Sequence, residues 1–185
     1  MIGRLPRELE VKGKLLPIRT DFRDVLSLFP MYEDPDLSPR EKGYVCCRNM
    51  YLARISEEDF DEAVSQINWF IDGGDIPKEE APVKIIDWEK DERFLMPAIS
   101  KTVSVPDVRS LSYLHWWTFL GAFAEMGEGV FSMILHLRKK IAEGEKLEEW
   151  ENKFIHKNGD LIRTAEEDAA VAKTNEFIKK LTHED

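Results

Sequence analysis

Apolar positions recur along this chain at two different periods, and the change between them divides it. Leu9 and Val11 alternate with charged residues, Gly13 marks a turn, and Leu16 and Ile18 resume the apolar side. That period-two pattern predicts a small β-hairpin. Two strands are marginal alone, so the hairpin has to lean on helices. From Thr20 the period lengthens to that of a helix. Phe22, Val25, Leu26 and Phe29 form a short stripe, capped by Thr20 or Asp21 and ended before Pro30. Residues 31–39 read as a loop. Ser38-Pro39 then opens a helix to about residue 54, with Tyr44, Cys47, Tyr51 and Ile55 on one face. Ser56 opens another, striped by Phe60, Ala63, Val64, Ile67, Phe70 and Ile71 and stopped by Gly73-Gly74.

The segment from 75 to 86 contains Pro77 and Pro82 and reads as extended. Asp87 caps a helix through about residue 103 that carries Trp88, Leu95, Met96 and Ile99. Pro97 lies inside that pattern and is expected to kink or divide it. The most apolar window follows, from Tyr113 to Ala124, with Trp116 and Trp117 side by side. Neighbours on a helix point about 100° apart, so both indoles face the interior only if this helix is sandwiched. At a dozen residues it falls well short of the ~20 that a bilayer span needs. Val130, Phe131, Ile134, Leu137 and Ile141 stripe the next helix, and Leu147, Trp150 and Phe154 a shorter one ending near Asn158-Gly159. A last stripe, Ala170, Val171, Phe177, Ile178 and Leu181, spans about 164 to 182. The pattern therefore predicts a mainly α fold: an irregular bundle of short helices around a central aromatic helix, with a small N-terminal β-hairpin. Residues 1–163 are expected as a single helical domain, and 164–185 as a loosely attached C-terminal helix.

Charge narrows the possible partners. The chain has 36 acidic against 26 basic residues, a net charge of −10. Nucleic-acid binding runs on neutralising phosphates, and anionic membranes attract basic segments, so neither is expected as a partner. Cys46 and Cys47 are adjacent and lack disulfide, zinc or thioredoxin spacing, which suits a reducing cytoplasm. The start Met1-Ile-Gly-Arg-Leu-Pro carries no apolar core of a secretory signal, so none is expected.

Candidate chemistry is sparse. His115 lies in the apolar helix and reads as a buried histidine with one hydrogen bond sooner than as a general base. Glu57-Glu58-Asp59 and Glu148-Glu149 sit at helix starts on polar faces, without the apolar concavity that shifts a carboxylate's pKa. No phosphate-binding glycine motif and no metal-ligand spacing occurs, so no cofactor or metal is expected. Arg138-Lys139-Lys140 is a candidate site for an acidic partner; a solvated helix end is the simpler account. By elimination the residues favour an interaction protein over an enzyme.

A longer match sharpens this. Trp116-Trp117-Thr-Phe-Leu-Gly-Ala-Phe123, Phe131-Ser132, Arg138-Lys-Lys140, Gly144-Glu-Lys-Leu147, Trp150-Glu151 and Phe154 to Asn158 together resemble the phage "gene product fifteen" family. The front run Val11-Lys-Gly-Lys-Leu-Leu-Pro-Ile-Arg-Thr-Asp-Phe-Arg23 resembles that family's opening. Gly-Glu-Lys replaces an expected Gly-Lys-Lys, and the segment after 163 lies outside the resemblance. The family is encoded in tail modules of long-tailed phages and prophages of Gram-positive bacteria, between the major tail protein and the tape-measure protein. The resemblance implies a tail assembly chaperone in the host bacterial cytoplasm, non-enzymatic, with the tape-measure protein as partner. The major tail protein is a second candidate partner, and self-association is expected. The alternative role is a structural minor tail or connector component. The partner-binding residues expected on this reading are Trp116, Trp117, Phe123, Phe131 and Arg138, around an apolar groove beside the central helix.

Overall fold

The computed structural model describes residues 3–75 and 85–164. The expected C-terminal helix and most of the proline-containing 75–86 segment lie outside the described residues. What is described is mostly helical with a two-stranded antiparallel hairpin at the front. Strand β1 (Glu8–Val11) pairs with β2 (Lys14–Pro17) in the register Leu9↔Leu16 and Val11↔Lys14. Lys12 and Gly13 both take positive φ, 46° and 76°. That is the backbone of a tight hairpin turn whose twist matches the strands. β1 buries Leu9 and Val11 against α4 (Phe60–Ile71). The chain leaving β2 is clamped twice, Ile18 pairing with Tyr51 and Asp21 with His115.

Asp21, not Thr20, caps α1 (Phe22–Leu26) through a bond from Arg23 N–H. Phe29 and Pro30 then open a separate short helix, α2 (Phe29–Glu33), where a loop was expected. Proline lacks the N–H that a first turn leaves unbonded anyway, so Pro30 starts a helix instead of ending one. In α3 (Pro39–Met50) Ser38 and Glu41 form the reciprocal capping box. The helix stops four residues earlier than expected, with Tyr51 as its C-cap. Tyr44 is exposed on its outer face, while Cys46, Cys47 and Met50 point inward. A single 3₁₀ turn at Glu57–Asp59 leads into α4, and Gly73 and Gly74, at φ 74° and 91°, end it.

Helix α5 (Trp88–Thr102) runs through Pro97 without division, which removes one of the two outcomes expected there, a kink or a division. Leu95, Met96 and Ile99 are buried on either side of an exposed proline, and their packing outweighs the one hydrogen bond that Pro97 denies to the carbonyl of Arg93. Helix α6 (Trp116–Ala124) is shorter than the apolar window, and Tyr113 lies outside it. Helices α7 (Val130–Ala142), α8 (Glu149–Lys157) and α9 (Gly159–Ile162) follow. The main core gathers Phe22, Phe70, Trp116 and Phe119 with the inner faces of the hairpin, α3, α4 and α5. A smaller cluster of Ile134, Leu137 and Ile162 joins α7 to α9, with Phe94 of α5 packed against it.

Candidate partner-binding surface

The two indoles of α6 part company, as the 100° between them requires. Trp116 is 1% exposed and stacks on Phe119 at 5.5 Å, with Phe29 beyond it at 6.1 Å. Trp117 is only partly buried, edge-on to Trp69 at 5.3 Å. Each ring donates its Nε1–H to a carbonyl at the end of α4: Trp116 to Ile71 and Trp117 to Phe70, both at 2.8 Å. The Ile71 carbonyl is satisfied by Trp116, and the Phe70 carbonyl takes the Trp117 N–H beside that of Gly73, so the indoles help close the end of α4. A Cβ on Gly74 would stand 3.0 Å from the Trp117 ring, and its φ is left-handed, so this turn takes glycine on both counts. The outer side of α6, at Thr118, Gly121 and Ala124, is exposed, so the helix is buried on most of its surface but not all round.

His115 caps α6. Its Nδ1 accepts the Trp117 N–H at 3.0 Å, so its Nε2 carries the proton and donates to the Pro6 carbonyl at 2.8 Å. The ring makes two hydrogen bonds where one was expected, and it ties residues 109 positions apart. Burial lowers its pKa below the ordinary 6.5. A depressed folded pKa means the native state binds fewer protons than the unfolded one. Its contribution is therefore fully present above about pH 6.5 and lost as pH falls through the folded value. We expect the melting temperature to drop on acidification below pH ~6.5. His115→Asn, which keeps an acceptor but does not titrate, should remove that part of the drop; an unchanged pH profile would dismiss the cap as its source.

The Arg138-Lys139-Lys140 run is not a basic patch. Arg138 is 5% exposed and pairs with Asp91, itself 1% exposed, at 2.5 and 2.9 Å. Its remaining donors reach the carbonyls of Ile85, Leu161 and Ile162 at 2.8–3.0 Å. Asp91 also accepts the Asp87 N–H. Lys140 bonds Glu151 at 2.7 Å, and that bond lowers the pKa of the carboxyl, which also receives the Glu148 N–H. Only Lys139 is exposed, beside Glu143. The expected solvated helix end fails because two of the three cations turn inward to carboxylates the chain has buried.

Of the five side chains expected at a partner site, Trp116, Phe131 and Arg138 are thus buried within their own chain and offer a partner no free surface in this conformation. Trp117 and Phe123 are half-buried, and they lie apart: Trp117 against Trp69, Phe123 against Trp88 and Phe131. An apolar cleft does open beside α6, of about 480 Å³, between the C-terminal half of α5, the α6–α7 loop and the first turn of α7. Phe131 lines it from its buried position, with Phe94, Pro97, Met126 and Val130, the last 52% exposed. Arg93, Lys101, Glu125 and Glu128 stand around it. Of these, sequence reasoning placed only Phe131 at a partner site. Pro97 was expected only to kink or divide its helix. A second cleft of about 510 Å³, between α3 and α4, is more polar, with Arg48, Arg54, Ser56 and Glu57 beside Tyr44, Leu52 and Phe60.

Cys46 and Cys47 are free, buried thiols, and Tyr32 Oη lies 3.1 Å from the Cys46 sulfur. Burial pushes both pKa values up, that of Cys47 to about 12, so neither is a thiolate at neutral pH. Among the described residues no cluster of histidine, cysteine and carboxylate side chains has the makings of a metal site, and no described helix is long and apolar enough to cross a membrane.

Fold and surface together define a mainly helical protein with an open apolar cleft beside its aromatic helix. Its sequence matches the model of the Bacteriophage Gp15 protein family over residues 1–161, and the chain belongs to that family. No curated protein and no solved structure matches it.

Proposed function

We propose that this phage-family protein is a tail assembly chaperone that holds an amphipathic helix of the tape-measure protein in the α5–α7 cleft. The observation that carries the reading is the cleft itself, whose apolar walls suit the i, i+3, i+4 anchors of such a helix. Membership of a bacteriophage family gives the setting, and the sequence resemblance supplies the tail module. A net charge of −10 keeps a chain that exposes apolar surface from precipitating in the host cytoplasm. The role calls for no catalytic group.

Co-expression with segments of the tape-measure protein tests this. Val130 is half exposed on the cleft, so Val130→Glu should leave the fold intact and set a charge against the incoming apolar face. We expect affinity to fall at least ~10-fold, about 1.4 kcal/mol. Leu15→Glu, on the exposed side of the hairpin, should bind as the parent does. Undiminished binding by a folded Val130→Glu would remove the cleft from the proposal. A permanent tail component would persist in purified virions, whereas a chaperone departs before the tail is complete.

A further inference from the structure

The α3–α4 cleft is positive on a chain whose net charge is −10. Arg48, in the last turn of α3, and Arg54, in the connection to α4, both line it and are exposed. Among the described residues neither makes an ion pair or a side-chain hydrogen bond. The carboxylate in the lining, Glu57, pairs with Arg40 instead. Tyr44, Leu52 and Phe60 supply apolar wall, the first two exposed. At about 510 Å³ the cleft lies within the roughly 300–1,000 Å³ of sites that enclose a small ligand, so it admits a large side chain.

A complementary feature stands on α8. Trp150, in its first turn, is 50% exposed, whereas the other four indoles are buried or partly buried. Its Nε1–H donates to Glu148 at 2.6 Å, which holds the ring beside that carboxylate. Glu149 is exposed next to it, and its contact with Lys153 is a surface i, i+4 pair that contributes little. Tryptophan is over-represented among the residues that dominate interfaces. α8 is fastened to α7 by Lys140–Glu151 and packs on α9, and Trp150 does not line the cleft of its own chain. We propose that the Glu148-Glu149-Trp150 corner of one copy docks in the α3–α4 cleft of the next, with the indole among Tyr44, Leu52 and Phe60 and the carboxylates against Arg48 and Arg54. Repulsion between two acidic copies is screened beyond about 8 Å at physiological salt, whereas the opposite charges meet at contact. The two surfaces differ, so the contact is head-to-tail and repeats from copy to copy, into a ring or an open chain.

The test uses the full chain alone, with no tape-measure protein, so its result is independent of the chaperone reading. In sedimentation velocity the parent's weight-average mass should rise above the 21.5 kDa of one copy as concentration increases through the micromolar range. Trp150→Ala, and Arg48→Glu with Arg54→Glu, change only exposed positions and should each weaken association at least ~10-fold. Mixed in equal amounts, these two variants should form a dimer and grow no further, because one keeps its cleft and the other its indole. Glu148→Arg with Glu149→Arg, which keeps the indole, should also be monomeric alone. It should associate beyond the dimer with the Arg48→Glu, Arg54→Glu variant, since opposite charges then face each other at both kinds of contact. Leu15→Glu should associate as the parent does. A parent that stays monomeric at every concentration would overturn the docking. So would variants that associate as strongly as the parent, or two mixtures that both stay monomeric.

Discussion

Arg138→Ala is expected to destabilise the fold by about 3–5 kcal/mol, the cost of stranding one member of a buried ion pair. Whole domains have a net stability of about 5–15 kcal/mol, so the loss threatens folding itself. Three things fail at once. The Asp91 carboxylate keeps a charge in the interior with only the Asp87 N–H against it. The carbonyls of Ile85, Leu161 and Ile162 lose their donor. The cavity left behind loosens α7 from α5 and α9. Among the described residues no buried side-chain polar atom lacks a partner, so nothing nearby stands ready to replace the guanidinium. Arg138→Lys restores charge but not the fork that reaches a carboxylate and three carbonyls together, and should recover only part of the loss. The double variant Arg138→Met with Asp91→Leu should cost less than Arg138→Ala, because no charge is then buried unpaired. Urea denaturation of all four chains decides it. A cost below ~1 kcal/mol for Arg138→Ala would mean that the pair is open to water in solution.

That pair also marks where sequence reading ran out. Element types were legible wherever an apolar period stood alone: the hairpin, α4, α7 and the aromatic run of α6 all follow from spacing and punctuation. Proline misled at Pro30, where the rule that it breaks helices competes with its suitability for a first turn, and at Pro97 the flanking burial carries the helix through undivided. The buried charges left a trace that was not used. Asp91 falls between Trp88 and Leu95 on the apolar stripe of α5, Arg138 follows Ile134 and Leu137 on that of α7, and Glu151 falls between Leu147 and Phe154. A charge in register with a stripe is either an error of period or half of an internal pair, and three of them on neighbouring helices favour pairs. Which carboxylate meets which cation depends on how α5, α7 and α8 cross, and no single-chain periodicity contains that. Most of the lining of the cleft was hidden for the same reason. Its walls come from α5, the loop after α6 and the start of α7, and only their packing sets Met126 and Val130 opposite Pro97.

The other large effect belongs to Trp116. Trp116→Ala should cost about 3–5 kcal/mol, since it deletes a fully buried indole from the centre of the main core. Phe29 and Phe119 lose the ring between them, and the Ile71 carbonyl loses its donor at the end of α4. Trp116→Phe keeps most of the packing and gives up the N–H bond, so about 1–3 kcal/mol should separate it from the parent. Trp117→Ala should cost less than Trp116→Ala, because its ring is only partly buried. Equal costs at the two positions would mean that α6 is not seated as described. The comparison matters for function because α6 carries Phe123, which meets Phe131 under the cleft. A weakened core and a blocked cleft both reduce partner binding, but they do so differently. Trp116→Ala should bind less in proportion to the fraction unfolded, and should recover when the temperature is lowered toward its stability maximum. Val130→Glu should be as stable as the parent and bind at least ~10-fold more weakly at every temperature. If the two variants instead lose stability and binding in the same ratio, the cleft is not a separate feature of the surface, and partner capture has to be sought on another face of the molecule.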